Sequence, residues 1–148
     1  MQQAIYLLLA FFAGAALPIQ GSANAELSRI LGNPVTASLV SALVSITLML
    51  LLSLFFRIPL PDSAVLRAPW WAWLGGIMGV FFLVTGTFTV PVTGTANFLV
   101  TVITGQVIAA LLIDKLGLLN VPVHPLSLSR IMGVIFIIAG AVMINYRR

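Results

Sequence analysis

The sequence predicts an all-α, polytopic membrane protein, a single domain of five transmembrane helices over residues 1–148. Three observations predict it. First, 61% of the 148 residues are hydrophobic and only 7% are charged, with a mean hydropathy of +1.17. A soluble domain is normally about 25% charged, and seven basic plus three acidic side chains cannot build a water-facing surface. Second, residues 1–25, 30–56, 68–113 and 131–146 carry no Asp, Glu, Lys or Arg, and a membrane helix needs ~20 mostly apolar residues. Third, five such helices use about 100 residues, which leaves too little chain for a soluble domain of about 50 residues or more. A water-soluble protein and intrinsic disorder are excluded.

The first helix is expected over residues 4–25. The chain opens Met1-Gln2-Gln3 without a basic segment, and the apolar run from Ala4 lacks a small-residue cleavage site, so it reads as a retained helix rather than a signal peptide. Pro18 should bend it and free a carbonyl. The second helix is expected over 35–56, after the Gly32-Asn33-Pro34 turn. The third charge-free stretch is too long for one helix, and Pro91-Val92-Thr93-Gly94 is its natural break. It gives helices over 69–89 and 95–113. The fifth is expected over 127–146, with Ser127 or Ser129 as its N-cap after Pro125. An odd number of helices puts the termini on opposite sides.

Two loops see water: Arg57 to Ala68, with Pro59, Pro61 and Asp62, and Asp114 to Leu126, with Lys115, His124 and Pro125. Trp70, Trp71 and Trp73 open the third helix, where an aromatic belt anchors a span at the interface. The sharper alternative turns Trp71 or Trp73 inward to hold a cation or an apolar ligand. The net charge of +4 comes from scattered residues, and no cluster grips a nucleic acid. With no cysteine there is no disulfide and no thiol chemistry.

The basic residues speak to orientation instead. Arg57, Arg67, Lys115 and Arg130 fall on the side of the N-terminus, and Arg29, Arg147 and Arg148 on the other. A difference of one barely sets a topology under the positive-inside rule. Either insertion details fix a single topology, or copies insert both ways and pair as an antiparallel homodimer.

Small residues recur at helix-packing intervals: Gly14, Gly21 and Ser28; Gly75, Gly79 and Gly86; Gly133 and Gly140. In lipid, close backbone approach brings helices together. The Gly133/Gly140 face serves either packing inside one protomer or a dimer contact.

Polar groups inside a span need a partner, a water or a substrate, because burying an amide alone costs roughly 2–7 kcal/mol. Gln20 and Asn24 share a helix face. Ser38, Ser41 and Ser45 form a stripe whose hydroxyls usually bond back to their own helix. Asn97, Thr101 and Thr104 line one side of the fourth helix, and Gln106, Ala110 and Asp114 another. Each of the four carboxamides taken singly is explained by bonds between helices; together they suggest a neutral polar cavity. Thr85, Thr87, Thr89, Thr93 and Thr95 crowd the connection between the third and fourth helices, as a polar vestibule or a plain loop. No acid sits mid-span. Glu26 ends the first helix, where Arg29 or Arg130 can pair with it, and Asp114 ends the fourth. No nucleophile–base arrangement, phosphate loop or metal spacing is present, so no enzyme activity, metal or cofactor is expected.

The chain resembles, from end to end, the YdcZ-type half-size members of the drug/metabolite transporter superfamily. The resemblance rests on Gln20-Gly21-Ser22-Ala23-Asn24-Ala25 with Leu27, Leu31-Gly32-Asn33-Pro34, and Pro69-Trp70-Trp71-Ala72-Trp73-Leu74-Gly75-Gly76 with Gly79. It continues through Gly105-Gln106, Leu112-Ile113-Asp114, Gly117-Leu118, and Pro125-Leu126-Ser127 with Arg130 and Gly133. Glu26, where a neutral polar residue is expected, and Lys115, where a histidine is expected, depart from it. The resemblance implies five helices per chain in a bacterial inner membrane, as half of an inverted-repeat transporter. Such repeats place substrate near the midplane and rock between two openings. The Gly133/Gly140 spacing is also similar to the last-helix dimer contact of small multidrug resistance transporters.

The expected function is therefore a small secondary transporter acting as an antiparallel homodimer in the lipid bilayer. Gln20, Asn24, Trp71, Asn97 and Gln106 would line a cavity for a small polar or amphipathic metabolite. Asp114 or Glu26 would carry any ion coupling. The rival reading is a non-transporting membrane scaffold or accessory subunit, in which all four carboxamides pair within the fold.

Overall fold

Glycine, proline and asparagine decide where each helix starts and stops, since the apolar runs alone would continue. The structure, a computed structural model, describes residues 2–59 and 62–146. Pro61 of the first loop, and Arg147 and Arg148 of the charge tally, lie outside the described residues. Within them the chain forms five long helices: α1 (Gln2–Leu31), α2 (Pro34–Phe55), α3 (Leu74–Thr93), α4 (Thr95–Leu116) and α5 (Leu128–Asn145). All five are long and apolar enough to cross a membrane, α3 together with the turn that precedes it.

α1 runs six residues beyond the expected end at residue 25. Nothing between Asn24 and Leu31 breaks a helix, and the stop comes only at Gly32, whose φ is +69°. The Asn33 side chain then caps α2, accepting from the amides of Val35 and Thr36 at 2.8 and 3.1 Å. Pro34 at the first position costs no hydrogen bond, because that amide would be unpaired in any case.

The break between the third and fourth helices falls within the expected Pro91–Gly94 segment, at its last residue, so α3 runs four residues beyond the expected end at residue 89. α3 continues through Pro91 to Thr93. A proline inside a helix removes one hydrogen bond, which membrane helices tolerate when neighbouring groups compensate. Gly94 adopts φ +81°, a region closed to most L-residues but open to glycine, and there the helix has to end. At the other end, Trp70–Trp73 form a short 3-10 turn rather than the opening of α3.

The Ser127 hydroxyl caps α5, accepting from the Arg130 amide at 3.3 Å. Gly117, at φ +62°, closes α4, donating to the Ile113 carbonyl. A Cβ on it would also lie 2.8 Å from Val123. The following loop is tied back by the His124 amide, which donates to the Asp114 carbonyl at 2.9 Å.

The chain divides into two compact units, Met1–Pro91 and Val92–Arg148. In the first, α1 packs along α2, and Ala37, Ser38, Gly86, Thr87 and Val90 are buried. In the second, α4 packs along α5, with Phe98 and Ala141 buried. Large apolar side chains such as Phe11, Leu48, Phe81 and Phe136 are exposed on the helices. Exposed apolar surface on this scale marks an interaction face, and on spanning helices such a face suits lipid or a neighbouring helix.

Candidate functional site

The first unit brings polar side chains from three helices into its interior. Ser38 of α2 and Thr87 of α3 are 3% and 1% exposed, and their hydroxyls lie 3.1 Å apart. Each is also within bonding distance of its own helix, Ser38 at the Pro34 carbonyl and Thr87 at the Leu83 carbonyl, both 2.9 Å. Gly21 of α1 faces Val90 of α3: a Cβ there would make ordinary van der Waals contact with Val90 Cγ2 at 3.6 Å.

Asn24, one turn beyond Gly21, is 5% exposed. Among the described residues no hydrogen bond reaches its side-chain amide, and no side-chain nitrogen or oxygen is both enclosed and unpaired. The Asn24 amide atoms therefore keep contact with open space. Gln20 is exposed one turn earlier on the same face. A groove of about 450 Å³ lies against this end of α1, lined by Ser22, Glu26, Ser28 and Arg29 with Val90 and Pro91 of α3.

Glu26 and Arg29 form a bidentate ion pair, at 2.8 Å from Nε and 2.5 Å from Nη2. Both are largely exposed, so the pair itself adds little stability. Of the two arginine partners considered from sequence, Arg29 is the one observed.

Trp71 belongs to the same unit but to the 3-10 turn that precedes α3. Rises of about 1.5 Å per α-helical residue and 2.0 Å per 3-10 residue place it roughly 30 Å along the axis from Val90, about the thickness of the hydrocarbon core. Trp71 is half-buried, whereas Trp70 and Trp73 are exposed.

In the second unit, Asn97 is half-buried and Gln106 exposed on α4. Their side-chain amides, like that of Gln20, make no hydrogen bond within their own unit among the described residues. The neighbouring hydroxyls behave differently. Thr101 and Thr104 donate to the Asn97 and Val100 carbonyls at 2.8 Å, one turn back on α4, as Ser45 and Thr47 do on α2. A hydroxyl reaches a carbonyl of its own helix and is satisfied there.

Asp114 pairs with Arg130 across α4 and α5 at 3.3 Å, each about one-third exposed. Around Gly133 and Gly140 a Cβ would meet nothing within 4 Å.

Sequence reasoning left Thr87 among five threonines of a presumed connection. The structure places it deep in α3, bonded to Ser38. The signal that points there is its neighbour Gly86, third in the Gly75/Gly79/Gly86 series and buried.

Five apolar helices, with polar groups turned inward at α1–α3 and ion pairs at helix ends, define a polytopic helical membrane protein. A family model covering residues 5–143 matches the chain, described as "Putative inner membrane exporter, YdcZ". The chain belongs to this YdcZ family of the drug/metabolite transporter type, and its place is the inner membrane. No curated relative and no solved structure matches it.

Proposed function

We propose that the chain is a secondary transporter which moves a small polar or amphipathic metabolite by alternating access, as an antiparallel homodimer. The observation that carries the reading is the Asn24 amide: buried in the helix packing, yet without a hydrogen bond among the described residues, in a member of an exporter family. A structural amide in lipid finds a partner, because leaving it alone is costly. An amide held open is free to bind a ligand. Gln20, Asn97 and Gln106 join it as neutral donors and acceptors that orient polar groups without fixing a charge.

An inverted partner accounts for the position of Trp71. Within one chain it lies a membrane thickness from Asn24. In an antiparallel pair, Trp71 of the partner subunit comes to the level of Asn24 and supplies an apolar, cation-attracting wall. Glu26 and Asp114 are each held by an arginine, so ion coupling through either requires that pair to open. The Gly133/Gly140 face is the dimer contact.

The test uses Asn24→Ala and Gln106→Ala, each assayed for melting temperature and for metabolite binding. Amides that line a cavity face water in the empty protein, so stability should change by less than ~1 kcal/mol. Ligand binding should weaken by about 1 kcal/mol or more, the worth of a hydrogen bond. Lower stability with unchanged affinity in both variants overturns the site and favours a scaffold.

A further inference from the structure

We propose that the second unit holds a phospholipid, with an acyl chain in the groove between α4 and α5 and an anionic headgroup on Arg130. The groove has a volume of about 230 Å³ and is lined only by aliphatic side chains: Leu111 and Leu112 of α4, Leu126 of the loop, and Ile131, Val134 and Ile135 of α5, with Ile108 one turn deeper. A dry groove on a spanning pair of helices is a place for hydrocarbon, since an unfilled one forfeits the packing contacts of its walls.

The groove ends at charge. Leu111 is one turn from Asp114, and Val134 is one turn from Arg130, so the aliphatic lining meets the Asp114–Arg130 pair where both helices reach the membrane surface. A guanidinium carries five N–H donors. Among the described residues Arg130 uses one contact, Nη1 to Asp114 Oδ2 at 3.3 Å, and its side chain is 38% exposed. Lys115 follows Asp114, so this end carries two basic residues against one acid. Chain below and spare cationic donors above match a two-part ligand, an acyl chain under a phosphate.

The groove also stays open in the proposed dimer. At about 100° per residue, Gly133 and Gly140 lie roughly 160° around α5 from the centre of Ile131, Val134 and Ile135. A second copy seated on the glycine face leaves the groove to lipid.

The experiment compares melting temperatures of the full chain in mild detergent. It is titrated with dioleoyl phosphatidylglycerol, dioleoyl phosphatidylcholine, a short-chain phosphatidylglycerol and inorganic phosphate. A ligand that binds only the folded state raises the melting temperature with its concentration. Long-chain phosphatidylglycerol should stabilise most, the phosphatidylcholine less, and the short-chain lipid and phosphate little. Arg130→Gln should weaken phosphatidylglycerol about tenfold, to the level of phosphatidylcholine, the loss expected for a charged hydrogen bond. Val134→Trp should blunt the response to both long-chain lipids. Asp114→Asn removes the competing carboxylate and should keep or strengthen the phosphatidylglycerol preference, which separates headgroup binding from mere loss of the ion pair. Equal stabilisation by the two long-chain lipids overturns the proposal. So does a preference that survives Arg130→Gln, or one that Asp114→Asn abolishes. A lipophilic cation that displaces the lipid from the unaltered chain but not from Asp114→Asn assigns the groove to a cationic ligand instead.

Discussion

Thr87 and Thr47 carry the same hydroxyl and make the same bond to their own helix, yet they sit in different surroundings. Thr47 is exposed and, among the described residues, bonds only to the Leu43 carbonyl, at 2.8 Å. Thr87 is buried and also meets Ser38 across the α2–α3 contact. Valine keeps the shape of threonine and removes the hydroxyl. Thr47→Val should therefore leave stability unchanged or slightly raise it, since a back-bonded hydroxyl mildly disfavours a helix. Thr87→Val deletes a link between helices and should cost about 1 kcal/mol. Ser38 keeps the Pro34 carbonyl, which holds the loss to that scale. Thermal or denaturant unfolding of both variants in the same detergent checks the contrast, and an equal effect at the two positions removes the assigned role of the Ser38–Thr87 bond.

At the scale of elements, charge gaps and turn residues carry most of what the sequence makes legible. Four charge-free stretches, the third divided by the Pro91–Gly94 break, give the five helices, because lipid excludes charge more strictly than water selects any pattern. The Gly32-Asn33-Pro34 turn and the Ser127 cap are legible because their chemistry is local. The end of α3 is not, because proline and glycine compete over four residues. In lipid the helix survives proline, and only the positive φ of Gly94 stops it. The candidate site is legible in part for a related reason. Residues sharing one helix face, such as Gln20 and Asn24, follow from periodicity. The pairing of Ser38 with Thr87 requires knowing which faces of two helices meet. The α5 glycines give this scale its prediction. A Cβ at Gly133 or Gly140 meets nothing within 4 Å in one chain. Gly133→Leu and Gly140→Leu should thus leave the protomer folded while blocking close approach of a partner helix. Crosslinking in membranes should show less dimer at an unchanged monomer melting temperature. An undisturbed dimer in both variants moves the contact elsewhere.

For the whole molecule, orientation is the open physical quantity, and the proposed mechanism depends on it. The seven basic residues divide four to three between the two sides. Orientation follows from Lys and Arg in the short flanking loops, with acidic residues contributing little. A bias of one charge therefore leaves the two insertions close in free energy. The first loop is the place to change this. It carries Arg57 and Arg67, is exposed at both, and is short enough to obey the rule. Two lysines added there raise the bias from one to three and should drive nearly all copies to the topology with that loop in the cytoplasm. Terminal reporters for cytoplasmic and external location should then change from a mixed signal to a single one. Transport should fall at the same time, because antiparallel pairs need both orientations. Co-expression with a variant biased the opposite way, through added lysines near Arg29, should restore it. The restoration separates loss of the inverted partner from damage to the loop itself. If the unaltered chain already gives a single orientation with both reporters, the antiparallel homodimer fails, and Trp71 of a second copy no longer reaches the level of Asn24.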